Sequence, residues 1–200
     1  MRERPSSEIE VTPTNLLAWT TCPRTGVLKP PRAHFDSVHQ QVVMNFDHWC
    51  PWLFNSVGYL NYKHFFFLLF WVWVLTTFGA LVSASLFFEI LKSHGKEAPT
   101  SETIPMLLFF PLCQVLSFGV GVLFSWHCYL SLTGQTSVDH LILRGRRIRI
   151  DEDYPNPFDS GSISMNLKNA VFSEGGGFWE VFIPLYPNRL PYGKPFPGAW

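Results

Sequence analysis

Two long runs of apolar residues dominate the pattern of the chain. Residues 65–88 contain no charged side chain over 24 positions, and residues 104–126 contain none over another 23. At a rise of about 1.5 Å per residue, either run can cross a hydrocarbon layer about 30 Å thick. The pattern therefore predicts two transmembrane helices. A buried hairpin in a soluble protein is the alternative, and the length of the runs, beyond about 18 residues, argues against it.

The predicted helices divide the chain into segments of different composition. These are a polar tail at 1–20, a module at 21–63, helices at 65–88 and 104–130 joined by a polar loop at 91–103, and a C-terminal region at 133–200. Prolines at positions 23, 30, 31 and 51 argue against a long helix in the module, so irregular loops are expected there. The predicted fold class is an all-α membrane protein with two transmembrane helices.

Basic residues predict how the chain is oriented. The loop at 91–103 holds two Lys or Arg residues, whereas six precede the first helix and seven follow the second. By the positive-inside rule, both termini and the module should lie in the cytosol and the loop on the opposite side. The N-terminus has no apolar core, so no signal peptide is expected.

Composition narrows the class of protein further. Fifteen basic and fifteen acidic residues balance, so no overall positive field points to nucleic acid, and none is expected as a partner. Sparse charge and abundant Phe favour a membrane protein. The four cysteines form no CxxC pair, so no disulfide framework is expected; they are Cys22, Cys50, Cys113 and Cys128.

The strongest candidate chemistry lies about a dozen residues before the first helix. Asp47, His48 and Cys50 stand within four positions. A thiolate attacks and a thiol does not, so a nucleophilic cysteine needs a neighbouring base. His48 could take the proton of Cys50, and Asp47 could orient and charge-stabilise His48. The sequence therefore permits a catalytic triad at a membrane surface.

Three groups of residues around this triad match a known family in type and interval. They are Lys29-Pro30-Pro31-Arg32-Ala33-His34, then Asp47-His48-Trp49-Cys50-Pro51-Trp52, then Asn55, Val57-Gly58, Asn61 and Phe65. Together they resemble the DHHC protein S-acyltransferases (palmitoyltransferases), with Trp49 in place of the second His. The resemblance implies that Cys50 accepts an acyl group from palmitoyl-CoA and passes it to cysteines of membrane-associated proteins.

The resemblance extends beyond the second helix. Residues 134–139 are similar to the family's TTxE motif, which implies that the hydroxyl of Ser137 approaches Asp47, with Thr136 beside it. A polar helix end at the interface is the plainer alternative. Asn166 matches the Asn of a C-terminal motif that ties loop backbone together. Trp52 and Asn55 are expected to support the signature.

Other positions are left to less specific interpretations. The basic run at 144–149 is expected to contact anionic lipids, and coenzyme A phosphates are the alternative, so no acyl-CoA-binding residue is assigned. His127 is expected at the membrane interface. Six aromatic residues could wall the acyl chain or face lipid; they are Phe65, Phe66, Phe67, Phe70, Trp71 and Trp73.

Family members usually bind two zinc ions, and the resemblance locates the corresponding positions. They are Cys22, Thr25, Phe35 and Val42 for one ion, and Asp36, His39, Trp49 and Ser56 for the other. Structural zinc needs four ligands, so no zinc and no other metal is predicted, with a weak Asp36–His39 site as the alternative. Acyl-CoA is expected as co-substrate, with no cofactor. A small apolar core of Phe35, Val42, Phe46 and Trp49 is expected instead.

Competing hypotheses remain at this point. The chain could be a catalytically inactive membrane adaptor or a fragment of a four-helix protein, since family members generally have four transmembrane helices. A channel hairpin is disfavoured because neither apolar run contains a charged residue. Retention of Asp47, His48 and Cys50 together favours an enzyme in the lipid bilayer, with the Golgi or endoplasmic reticulum as the expected location.

Overall fold

A computed structural model describes residues 16–93, 103–150 and 155–172, with side chains described outside 146–150. Most of the polar tail and of the loop at 91–103 lie outside these ranges. So do the side chains of the basic run beyond Gly145 and everything after Phe172. The predictions for those segments are therefore not addressed by the described residues.

Two long helices form the largest part of the structure. Helix α1 spans Tyr62–Ser93 and helix α2 spans Thr103–Leu132, and both are long and apolar enough to cross a membrane. Their large outward-facing side chains are exposed to a degree that suits hydrocarbon rather than water, such as Leu81 at 72% and Phe118 at 76%. The prediction of two long apolar helices is confirmed.

The two helices pack antiparallel through small and aromatic residues. The ring centroids of Phe87 and Phe110 lie 4.6 Å apart, and the hydroxyl oxygens of Thr77 and Ser117 lie 2.7 Å apart. A Cβ added at Gly79 would meet the Cys113 sulfur at 3.1 Å. Small residues at this interface let the backbones approach closely, as is usual between membrane helices.

The module before α1 is built from three short antiparallel hairpins. Strand β1 (Thr20–Thr21) pairs with β2 (Leu28–Lys29), β3 (His34–Asp36) with β4 (Gln41–Val43), and β5 (His48–Cys50) with β6 (Asn55–Val57). The all-α class predicted from the sequence is therefore too narrow. Strands of two or three residues carry no alternating pattern that a sequence can show, and prolines exclude helix without excluding extended chain.

Two shorter helices follow α2 and return to the module. Helix α3 spans Ser137–Ile150 and helix α4 spans Ile163–Val171. The main apolar core gathers residues of β5, β6, α1 and α4. It consists of Cys50, Val57, Tyr62, Phe65, Phe66, Phe67, Leu69 and Val171. This core lies where the module meets the adjoining ends of α1 and α2, and it positions the site.

Candidate active site

Asp47 is the hydrogen-bonding centre of the site. Asp47 is 2% exposed, and its carboxylate accepts three hydrogen bonds. His48 Nδ1 lies 2.7 Å from Oδ2, the backbone N–H of Ser137 donates to Oδ1 at 2.8 Å, and the Ser137 hydroxyl donates to Oδ2 at 2.9 Å. The structure thus brings together three residues that the sequence singled out, two of them 90 positions apart.

The charge of Asp47 follows from these contacts. Burial raises the pKa of the Asp47 carboxyl, but the hydrogen bonds from His48 and Ser137, together with the nearby His127, lower it by more, so the pKa lies below its ordinary value. Because hydrogen bonds to the ionised form favour that form, Asp47 is a carboxylate at neutral pH. A carboxylate at this position holds the proton of His48 on Nδ1.

Strand β5 sets the relation of His48 to Cys50. Side chains alternate along a strand, so His48 and Cys50 lie on one face and Trp49 on the other. With Nδ1 donating to Asp47, the lone pair of His48 is on Nε2, the atom available to a thiol. Cys50 is 4% exposed within the apolar core, and the ring of Phe65 stands edge-on to His48 at 5.1 Å.

His127 is part of the site, where the module buries it, although the sequence did not assign it there. It is 2% exposed, with its ring centroid 5.9 Å from that of His48 and 4.9 Å from that of Phe65. The Tyr62 hydroxyl lies 3.2 Å from His127 Nδ1 and 3.1 Å from the Ser131 hydroxyl. A histidine at the end of an apolar run suggests an interface, but here the module covers that end of α2.

The start of α3 is fixed by reciprocal capping. The Thr136 hydroxyl accepts the N–H of Asp139 at 3.2 Å, and the Asp139 carboxylate accepts the N–H of Thr136 at 2.8 Å. This capping box satisfies two donors that a helix start otherwise leaves unpaired. Ser137, the first residue of the helix, is thereby held at the position from which it binds Asp47.

Asn166 ties the C-terminal loop to the end of α2. It is 3% exposed, and its amide donates to the carbonyl of Leu132 at 2.9 Å and to Asp159 Oδ1 at 2.8 Å. Its Oδ1 accepts the N–H and the hydroxyl of Ser160 at 2.9 and 2.7 Å. The nearby Phe172 ring contacts Phe67 of α1, with centroids 6.2 Å apart.

Trp52 and Asn55 do not contact the Asp47–His48 pair through any described bond. Trp52 is 91% exposed in the turn between β5 and β6, and Phe54 beside it is 81% exposed. Asn55 pairs with Cys50 across the hairpin through the backbone register. Their supporting roles therefore remain predictions.

The positions that correspond to the first family zinc ion do not fit a metal. Cys22 and Val42 are buried with Ala33, and Phe35 packs against them. The hydroxyl of Thr25 accepts the N–H of Val27 at 3.4 Å. Cys22 is the one strong zinc ligand among these four positions, and the cluster is apolar.

The side chains at the positions that correspond to the second zinc ion also lie together, around the carboxylate of Asp36. Asp36 Oδ2 lies 2.7 Å from His39 Nδ1 and accepts the Ser56 hydroxyl at 2.8 Å. Trp49 stands edge-on to His39, with ring centroids 4.8 Å apart. Asp36 and His39 are bonded to each other and two further ligands are missing, so a closed tetrahedral site does not fit.

One group of described residues does have ligand atoms close enough to hold a metal ion. Ligand atoms of Asp47, His48 and His127 all lie within 4.8 Å of one another. Asp47 and His48 already share a hydrogen bond of 2.7 Å, and Ser137 occupies the rest of the carboxylate. As folded, the group is a hydrogen-bonded acid–base pair beside a thiol.

Comparison with known proteins places this site in a family. A family model described as DHHC palmitoyltransferase matches residues 17–143, more than half of the chain. This chain belongs to the DHHC palmitoyltransferase family. The family predicted from the signature is therefore confirmed, and the match includes Asp47, His48, Cys50 and Ser137.

Curated members of the family resemble this chain over most of its length. It is 30% identical over 177 residues to the human palmitoyltransferase ZDHHC2, covering 88% of this chain and 45% of the relative. It is 30% identical to the probable protein S-acyltransferase 15 of Arabidopsis thaliana, covering 64% and 49%. Palmitoyltransferase PFA3 of Yarrowia lipolytica is 28% identical, covering 83% and 45%. The chain thus spans about half the length of these relatives.

Proposed function

We propose that this chain carries the catalytic machinery of a protein S-acyltransferase, which moves a palmitoyl group from palmitoyl-CoA to cysteines of membrane-associated proteins. One observation carries the proposal. The Asp47 carboxylate is bonded to His48 Nδ1 and held by Ser137, while Cys50 lies on the same strand face as His48. This arrangement supports Cys50 as the nucleophile, His48 as its base and Asp47 as the orienting acid.

The first step forms a thioester on the protein. His48 Nε2 takes the proton of Cys50, and the thiolate attacks the carbonyl carbon of the palmitoyl-CoA thioester. The bond between that carbon and the sulfur of coenzyme A then breaks, and the leaving thiolate takes the proton back from the His48 imidazolium. Asp47 stabilises the imidazolium in between, since it faces that charge at 2.7 Å.

The second step transfers the acyl group to the substrate. His48 takes the proton of a substrate cysteine, whose thiolate attacks the thioester on Cys50. The Cys50 sulfur leaves and regains the proton from His48, so the enzyme returns to its starting state. Release of coenzyme A before the protein substrate reacts predicts ping-pong kinetics.

The apolar surroundings of Cys50 suit the acyl chain. Phe65, Phe66 and Phe67 at the start of α1 are buried in the same core as Cys50. Helix α1 begins and helix α2 ends near the core that holds Cys50, and both helices are long enough to span a membrane. These features support a multi-pass membrane protein that handles an acyl chain. The small number of Lys and Arg residues at 91–103 supports cytosolic termini, and we propose the Golgi or endoplasmic reticulum as the location.

The module should fold without structural zinc, because neither group of corresponding positions offers four ligands. We expect purified protein to contain far less than one zinc ion per chain, and a strong chelator to leave its thermal unfolding temperature unchanged. Elemental analysis together with unfolding in detergent checks this. A substantial loss of unfolding temperature on chelation would show that a metal stabilises the fold.

Labelling with an alkyne analogue of palmitoyl-CoA tests the function. The protein in detergent or nanodiscs should acquire a hydroxylamine-sensitive label, and peptide mass spectrometry should place it on Cys50. Cys128, which also packs against the main core, is the matched control: Cys128→Ser should keep the label. A label on a cysteine other than Cys50 would contradict the mechanism, and a protein that takes no label would support the adaptor alternative.

A further inference from the structure

Arg32 has a backbone conformation that most side chains avoid. Its φ is +63°, in the left-handed region, which a residue other than glycine adopts mainly when its surroundings hold it there. Its carbonyl accepts the N–H of Phe46 at 3.0 Å. Phe46 directly precedes Asp47, so the backbone of Arg32 is attached to the segment that carries the catalytic acid.

The side chain of Arg32 reaches across to the other end of the chain. Its Nη2 and Nε lie 2.7 and 2.9 Å from Asp139 Oδ2, and Nη2 also donates to the carbonyl of Gly134 at 3.1 Å. The guanidinium lies over the ring of Phe158, 4.5 Å from its centroid. The Asp139 side chain is 4% exposed, so this is a largely buried ion pair.

Asp139 passes this contact on to the catalytic acid. The same Oδ2 that Arg32 binds accepts the N–H of Thr136, which closes the capping box at the start of α3. The next residue, Ser137, gives Asp47 two of its three hydrogen bonds. Arg32 therefore holds Asp47 from two sides, through the backbone of Phe46 and through the start of α3.

We propose that Arg32 is a positioning residue, which clamps Asp139 so that Ser137 stays against Asp47 and His48 stays aimed at Cys50. The inference rests on the proposed function for its role in acyl transfer. It assigns Arg32 no contact with coenzyme A, because Asp139, the Gly134 carbonyl and the Phe158 ring already surround the guanidinium.

The test follows the reactivity of Cys50 directly, so that it works even in a protein that transfers no acyl group. The rate at which iodoacetamide alkylates Cys50 is measured by peptide mass spectrometry, with Cys128 as internal reference. Arg32→Gln should slow alkylation of Cys50 about 10-fold or more, since small losses of alignment have effects of that size. Arg24→Gln, an exposed arginine of the same module, should leave the rate unchanged.

A double-mutant cycle separates positioning from a general loss of structure. Ser137→Ala should slow alkylation by a similar factor, and the double variant should be little slower than either single variant, because both break one path. Arg32→Lys should recover part of the rate. Multiplicative effects of the two substitutions, or a wild-type rate in Arg32→Gln, would overturn the inference.

A second variant covers the case in which Arg32→Gln does not fold. Asp139→Asn keeps an oxygen for the N–H of Thr136 but removes the charge that Arg32 binds, and it should reproduce the slowing.

In the labelling assay, Arg32→Gln should lower the maximal rate without changing the half-saturating concentration of palmitoyl-CoA. A raised half-saturating concentration would instead make Arg32 a phosphate ligand. A further outcome is a wild type that takes no acyl label while Arg32→Gln and Ser137→Ala still slow alkylation of Cys50 in the non-additive way described above. That result would refute the proposed function and leave this inference standing.

Discussion

Cys50→Ser should remove the acyl label completely from a protein that otherwise remains folded. The substitution exchanges a sulfur for an oxygen at a buried position, so the apolar core of Val57 and Phe65 stays filled. A serine hydroxyl is a far weaker nucleophile without strong activation than a cysteine thiol. We expect loss of the hydroxylamine-sensitive label by at least about 10³-fold, as measured by in-gel fluorescence of the alkyne probe.

The matched control separates chemistry from folding. Burying an unpaired hydroxyl costs about 1–3 kcal/mol, so Cys50→Ser could lower stability as well as reactivity. Cys50→Ala carries no such hydroxyl and should also be unlabelled while unfolding at a temperature close to that of the wild type. If either variant kept a hydroxylamine-sensitive label, the acyl acceptor would be another thiol and the mechanism would be wrong.

Asp47→Asn should slow acylation of Cys50 by about 10⁴-fold, an effect of the size known for removal of the acid from a nucleophile–base–acid triad. The amide can keep an oxygen toward the backbone N–H of Ser137, but its NH₂ group then faces His48 Nδ1. A donor there forces the proton of His48 onto Nε2, so that the imidazole presents a proton to Cys50 instead of a lone pair. Single-turnover labelling kinetics measure the loss.

The control for this substitution is Asp159→Asn, which makes the same exchange at an exposed carboxylate and keeps an oxygen for Asn166. It should acylate at the wild-type rate. Equal losses in both variants would mean that Asp47 acts through general stability rather than through His48.

The lowered pKa of Asp47 adds a pH signature to the same pair of proteins. The pKa of Asp47 in the folded protein lies below its unfolded value of about 3.9. Ionised Asp47 therefore contributes its full stabilisation of the fold above about pH 3.9, and this contribution is lost as pH falls through the folded pKa. The wild type should therefore lose more stability than Asp47→Asn on acidification below about pH 4. Identical acid unfolding curves would argue against an ionised, hydrogen-bonded Asp47.

The two long helices were predictable because their signal is local. An uninterrupted apolar run at 65–88 or 104–126 needs no knowledge of the rest of the fold. The hairpins gave no such signal, since β1 and β2 are two residues long and their pairing depends on reversals of the chain. Residues in the left-handed region at such reversals include Gln40 and Asn45, which a sequence pattern does not specify.

Some residues of the candidate site could likewise be predicted from the sequence, and others could not. The order Asp47, His48, Cys50 could be read along the chain, and the family motif directed attention to Ser137. His127 could not be placed, because its burial depends on how the module covers the end of α2. The partner of Arg32 was equally hidden, since Asp139 lies 107 positions away and nothing local joins the two. Contacts of that range are set by tertiary packing.

The positions that correspond to the family's zinc ligands hold side chains that do not complete a tetrahedral site. Cys22, Phe35 and Val42 still meet, but as apolar side chains, and Asp36 still receives His39 and Ser56. Hydrogen bonds to a carboxylate are each worth about 1.5–3 kcal/mol, against about 10–16 kcal/mol for a structural zinc ion. The module should therefore depend more heavily on its packing against α1 and α2 than a metal-bound module would.

The recessed thiol of Cys50 has a consequence for covalent inhibitors. At 4% exposure and with Phe65, Phe66 and Phe67 in the same core, the sulfur is screened from the aqueous side. A compact, apolar warhead that partitions into lipid should reach it, whereas a bulky or charged electrophile should be turned away. Selectivity between reagents at this cysteine would then be governed by shape and membrane partitioning more than by intrinsic electrophilicity.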